Sequence, residues 1–179
     1  MKIKDQKVSE FLDNLAAKSP TPGGGAVAAL TGAMAASLTE MACNLTIGKK
    51  DYPDVQEEMI RVAERASELS EELLNLADRD SEAFEKVMEA YKSKDKAKIK
   101  GALLTAIEVP EKTVELCENV RELAEIAVRL GNVNARSDAV SAGHLAFAGV
   151  QAAQENVEIN KKSLVLLGEA SKKTLAELS

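Results

Sequence analysis

Tryptophan is absent, and three Phe and two Tyr are the only aromatic residues among 179. So few rings exclude the stacking platforms on which proteins hold single-stranded nucleic acid. A single histidine, His144, excludes a His-rich metal centre. The two cysteines, Cys43 and Cys117, share no motif, and the Pro-Cys-x-x-Cys segment of zinc deaminases is missing. They read as reduced thiols packed in a core. Positive charge is also short. There are 23 Lys and Arg against 29 Asp and Glu, a net charge of −6, so there is no basic footprint for nucleic acid. The first ten residues carry no secretory signal, and a cytoplasmic location is expected.

What the chain has is alanine, 28 residues of it, within 45% hydrophobic and 29% charged residues. That balance is ordinary for a soluble globular protein, and the length suits a single domain over residues 1–179. Apolar spacing predicts helices. Val8, Phe11, Leu12 and Leu15 mark a short one over about 6–18, stopped by the breakers from Ser19 to Gly25. A second runs from Gly24 or Gly25 to Ile47 and is apolar on most sides, the mark of a buried helix. Thr31, Ser37, Thr39 and Glu40 interrupt it and long Leu/Ile/Val runs are missing, so no membrane span is expected.

The third helix is the longest, from about Asp54 to Lys92. Its apolar register steps by three and four through Val55, Met59, Val62, Ala66, Leu69, Leu73, Leu76, position 80, Ala83, Val87 and Ala90, as in a seam facing partner helices. A fourth follows a lysine-rich turn and covers about Lys98 to Leu130. Pro110 should kink or break it, and Gly131 is its natural stop. A fifth, capped by Asn134 or Ser137, runs to about Gln154, and a last one covers Lys162–Leu178. No strand pattern exceeds Asn156–Asn160. The expected architecture is an all-α, single-domain bundle of about six helices, with one long helix and one kinked by proline. Small-residue faces on helices two and five allow close approach to each other or to a second copy, so a homodimer is expected.

Three places carry candidate chemistry. Asp80 stands on the buried stripe between Leu76 and Ala83, where a carboxylate is rarely tolerated unless paired. It is either a structural ion pair or a general acid or base for a ligand, whereas Asp78 and Glu82 fall off the stripe and read as solvated. Gly23, Gly24 and Gly25 open a helix whose free N–H groups suit a carboxylate or phosphate, or they merely turn the chain. Gly23-x-Gly25-x-x-Ala28 matches a dinucleotide fingerprint in form, but no strand precedes it. The turn from Asn132 to Asp138 is either an elaborate helix cap or a set of polar groups able to read the edge of a heterocycle. His144 reads as a core or interface residue.

Taken in order, several blocks resemble the formiminotetrahydrofolate cyclodeaminase family, which includes methenyltetrahydrofolate cyclohydrolases. They are Ser19-Pro20-Thr21-Pro22-Gly23-Gly24-Gly25-Ala26, Gly48-Lys49-Lys50-Asp51-Tyr52, Asp78-Arg79-Asp80-Ser81-Glu82-Ala83-Phe84, Val109-Pro110, Gly131 to Asp138, and Asn156-Val157-Glu158-Ile159-Asn160. The resemblance implies an all-helical dimeric subunit that binds a tetrahydrofolate derivative as substrate, with no metal and no tightly bound cofactor. It implies Asp80 as the catalytic aspartate, with Asp138 beside it. Pro22, Gly23, Gly24, Gly25, Asn134 and Ser137 are then the substrate-binding candidates. The implied reaction converts 5-formiminotetrahydrofolate to 5,10-methenyltetrahydrofolate with release of ammonia. The alternatives are hydrolysis of the methenyl compound to 10-formyltetrahydrofolate and a folate-binding bundle without catalysis.

Overall fold

A computed structural model describes residues 2–177, with side chains through Glu169. Five α-helices follow one another: α1 (Val8–Ala16), α2 (Gly24–Asn44), α3 (Gln56–Ser93), α4 (Lys96–Leu130) and α5 (Arg136–Glu177). Short 3-10 turns precede α1, α3 and α5, and no strand occurs among the described residues. The all-α expectation holds. α2 has the length and apolar content of a membrane span, yet it is the central strut of the bundle. Its alanines at 26, 28, 29, 33, 35 and 36 are buried, and it packs on α3, α4 and α5.

The helix ends follow local chemistry. Asp95 caps α4 by accepting from the Ala97 and Lys98 N–H groups, an N-cap carboxylate meeting orphan donors. Lys94 before it takes the left-handed conformation, φ 58°, which lets α3 and α4 fold back as a hairpin. The turn before α5 is pinned to the end of α2. The Asn132 N–H donates to Thr46 Oγ1 at 2.8 Å, Asn132 Nδ2 to the Leu45 carbonyl at 3.0 Å, and the Val133 N–H to Tyr52 Oη at 3.0 Å.

Several expectations change. Helices five and six are one, since α5 runs unbroken through Asn156–Asn160. The polar run there reads as a break, but Asn156 and Asn160 both bond helix carbonyls. The expected end at Leu178 lies outside the described residues. Pro110 is buried inside α4, which continues on both sides of it. The capping residue of the turn is Asn132, which accepts from the Asn134 N–H, rather than Asn134 or Ser137. Asp78 is buried, because the N-terminal turn at Ile3–Asp5 covers it and the Ile3 N–H donates to Asp78 Oδ1 at 2.6 Å. His144 is exposed in the single chain. α1 buries Phe11, but Val8 and Leu12 face out.

Small residues set the packing. The two thiols are fully buried as expected, and burial pushes Cys43 up to about 11 and Cys117 up to about 12. Cys117 of α4 sits where α2 and α5 approach. A Cβ on Gly32 would stand 2.5 Å from Cys117 Sγ and 3.2 Å from the Leu73 methyls, and one on Gly149 would stand 2.9 Å from the same sulfur. Gly32→Ala is therefore expected to lower stability by about 1–3 kcal/mol through overpacking, although alanine is the better helix former by about 1 kcal/mol. Gly101 of α4 faces open space, so Gly101→Ala should raise stability by up to about 1 kcal/mol. Denaturant midpoints check both, and equal effects at the two glycines would refute the packing account.

Candidate active site

The N-terminus of α2 has no cap of its own. Gly23 occupies the N-cap position without a side chain, so the first N–H groups of the helix need other partners. Asp80, projecting from the middle of α3, accepts from the Ala26 N–H. That reach depends on Gly25, because a Cβ there would overlap the Asp80 carboxyl. Glycine is thus required by the close approach of a carboxylate to backbone, more than by the turn.

Asp80 and Gly23–Gly25 line a cleft of about 370 Å³. One wall is the face of α3 that carries Phe84, Val87 and Tyr91, so two of the few aromatic rings stand here. Leu103 and Ala106 of α4 close one end, and Asn156 and Asn160 of α5 lie opposite. No Lys, Arg or His lines the cleft among the described residues. Asp80 is therefore not half of an ion pair. Burial raises its pKa, and the Ala26 N–H pulls it partly back. The result is a carboxyl that takes up a proton more readily than an exposed one.

The other candidates divide. Gly23, Gly24 and Gly25 line the cleft, but Pro22 borders a neighbouring hollow with Asp78 and Ser81. Asn134, Ser137 and Asp138 are outside the cleft, at the opposite end of α5. Asp138 precedes Asn156 by 18 residues of one helix, about 27 Å at the α-helical rise. Asn134 and Ser137 are exposed and Asp138 half-buried. One chain does not bring these three to Asp80. Phe84, Asn156 and Asn160 stand in blocks that carry the resemblance, but neither they nor Tyr91 are among the site residues named from the sequence. The signal was there: Phe84 follows Asp80 by four positions and Tyr91 by eleven, one face of a helix, and the two asparagines are four apart.

The raised Asp80 pKa has a consequence for stability. A carboxyl whose pKa is higher folded than unfolded binds its proton more tightly in the native state. That contribution is full at low pH and is lost as pH rises through the folded value. Asp80→Asn is therefore expected to melt at or above the wild-type temperature at pH 7. The gap should close as pH falls to about 4, the ordinary Asp range. Thermal melts across that range test it, and a variant less stable at pH 7 would mean that the Ala26 bond outweighs burial.

Comparison with known proteins identifies the family. The family model for formiminotransferase-cyclodeaminase matches residues 7–176. The chain is 43% identical over 169 residues to the methenyltetrahydrofolate cyclohydrolase of Methylorubrum extorquens, covering 89% of this chain and 81% of that protein. It is 29% identical to the mouse formimidoyltransferase-cyclodeaminase, of which it spans 32%. The crystal structure of formiminotetrahydrofolate cyclodeaminase from Thermotoga maritima superposes with a TM-score of 0.87 at 38% identity, covering 98% of this chain and 89% of that one. The chain belongs to the formiminotransferase-cyclodeaminase family.

Proposed function

We propose that this protein is a methenyltetrahydrofolate cyclohydrolase, acting on the one-carbon unit that bridges N5 and N10 of tetrahydrofolate. The observation that carries the reading is Asp80, a carboxyl with no cationic side chain near it in a largely apolar cleft. The methenyl bridge is a delocalised cation, and a desolvated carboxylate complements it. Water adds to the bridging carbon, and Asp80 takes the proton that water gives up. The tetrahedral adduct then opens at N5, which receives that proton, and its hydroxyl gives up the remaining proton to solvent as the formyl group forms on N10. One water is consumed and one proton released, and no step needs a redox cofactor. Phe84 and Tyr91 offer rings against which flat portions of the substrate can stack.

A second reading has a specific support, the 0.87 TM-score against a cyclodeaminase. There N10 attacks the protonated formimino carbon on N5, and ammonia leaves from the tetrahedral centre. Asp80 would serve the same proton transfers. The family resemblance leans slightly to this reaction, though the sequence does not separate the two. Hydrolysis is placed ahead here because the 43% relative, covered over 81% of its length, is a cyclohydrolase.

The same reading includes a homodimer. Leu30, Met34, Leu38 and Met41 of α2, with Leu74 and Leu145 beside them, form an apolar groove on the outside of the chain, and Met34 is half exposed. A second copy seated there buries that stripe. Asn134, Ser137 and Asp138 could reach a substrate only if such a partner carries them to the cleft.

Two absorbance assays separate the reactions, one following loss of methenyltetrahydrofolate and the other its appearance from the 5-formimino compound. Accelerated loss alone is expected. Asp80→Asn should fold and lose at least about 10²-fold in rate, the low end for general acid–base catalysis. Gly25→Ala, which displaces that carboxyl, should lose about as much. A fully active Asp80→Asn would remove Asp80 from the mechanism. In sedimentation equilibrium the protein should be a dimer and Met34→Lys a monomer, and a wild-type monomer at micromolar concentration would overturn the interface.

A further inference from the structure

Pro110 lies inside α4 and has no N–H. The carbonyl four residues earlier, that of Ala106, therefore loses its helical donor. Asn160 of α5 supplies one instead, with Nδ2 donating to the Ala106 oxygen at 2.7 Å. Ala106 and Asn160 both line the cleft that holds Asp80. One residue on, Lys161 pairs with Glu111 at 2.7 Å, so α4 and α5 are joined on either side of the proline.

A carbonyl oxygen can only accept. The atom of Asn160 that faces Ala106 must then be the amide nitrogen, and the amide cannot flip without losing the bond. Its oxygen is the end left over, and no donor among the described residues reaches it. Asn156, one turn earlier, is held in the same sense, with Nδ2 donating to the Ala152 carbonyl at 2.8 Å. With Asp80, three side chains of the cleft offer oxygens that can only accept, beside the hydroxyls of Thr21, Tyr91 and Ser163, and no cationic side chain lines it. Such a set selects a ligand whose edge is rich in N–H donors.

We propose that Asn160 is a specificity residue whose Oδ1 accepts from the aminopyrimidine N–H edge of a reduced pterin, and that Pro110 is a positioning residue that fixes the amide by freeing the Ala106 carbonyl. The proposal rests on the folate reading of the same cleft. It gives the proline a function beyond helix geometry. Restoring an N–H at position 110 would let α4 satisfy Ala106 by itself and leave the Asn160 amide free to turn.

The test is a double-mutant cycle of Asn160→Ala and Pro110→Ala, read in melting temperature and in the dissociation constant for tetrahydrofolate. In melting temperature, Asn160→Ala should be costly alone, because it orphans the Ala106 carbonyl, and nearly neutral in the Pro110→Ala background. In binding, Asn160→Ala should weaken tetrahydrofolate at least about tenfold in the wild-type background, and by several-fold less in the Pro110→Ala background, where the amide is already free to turn. Pro110→Ala alone should weaken it several-fold while melting no lower than wild type. Wild-type affinity in the stable double variant would overturn the proposal and leave the folate reading intact. Equal melting penalties for Asn160→Ala in the two backgrounds would overturn the link to Pro110. Failure of the unmodified protein to bind tetrahydrofolate would overturn the folate reading, and the pterin assignment with it.

Discussion

The bond from the Ala26 N–H to Asp80 fixes most of what is functional in this molecule. It joins the start of the central helix to the middle of the longest one, across a gap that only glycine at position 25 leaves open. A helix N-terminus left uncapped by its own sequence is a weak point. A carboxylate in an apolar cleft is another. Each is the other's remedy in part: the helix gains an acceptor, and the acid gains a donor that favours its charged form. The remedy is incomplete, since burial still raises the Asp80 pKa. That remainder leaves a carboxyl that takes up a proton more readily than an exposed one, which suits it to proton transfer.

The rest of the bundle is arranged so that this approach is possible. α2 carries alanine and glycine where it meets its neighbours, and Gly32 and Gly149 let α2 and α5 close around Cys117. Large rings would hold the helices apart. The shortage of aromatics is therefore part of the architecture, and it gives weight to the two that remain in the cleft. Phe84 and Tyr91 sit on the face of α3 that also presents Asp80. The surface ion pairs contribute little here. Those on α3, such as Arg65 with Glu68 and Glu72, lie largely in solvent, where each is worth about 0.2–1 kcal/mol.

How much of this was legible in the sequence depended on whether the signal was local or shared between helices. Asp80 could be found because a charged residue interrupts an apolar register within one helix. The glycine turn could be found because breakers cluster in sequence. Asp78 was misread as solvated because the surface that buries it comes from Ile3–Asp5, far away in the chain. The division of α5 into two helices was misread for a similar reason. Residues 155–162 look polar and weakly helical, and what supports Asn160 is a carbonyl on another helix. The block from Asn134 to Asp138 has the composition of a site and of a cap. The cap is Asn132, just ahead of that block, which accepts from the Asn134 N–H and ties the turn to Thr46 and Leu45, while any contact of the block with substrate would have to come from another copy of the chain.

Proline in α4 and aspartate on the inner face of α3 break the same rule, that element interiors avoid groups they cannot satisfy. Both breaks open onto one cleft. In each case the unsatisfied group is met by an element distant in sequence: Asp80 by the start of α2, and the Ala106 carbonyl by α5. A helix bundle built for stability alone would place leucine at position 80 and alanine at 110, and it would lose nothing in packing regularity. It would also lose a carboxyl that titrates in a dry environment and an amide held in one orientation. The two departures are best understood as one device. Local helical stability is lower, and three helices are made to depend on each other at the point where a ligand enters.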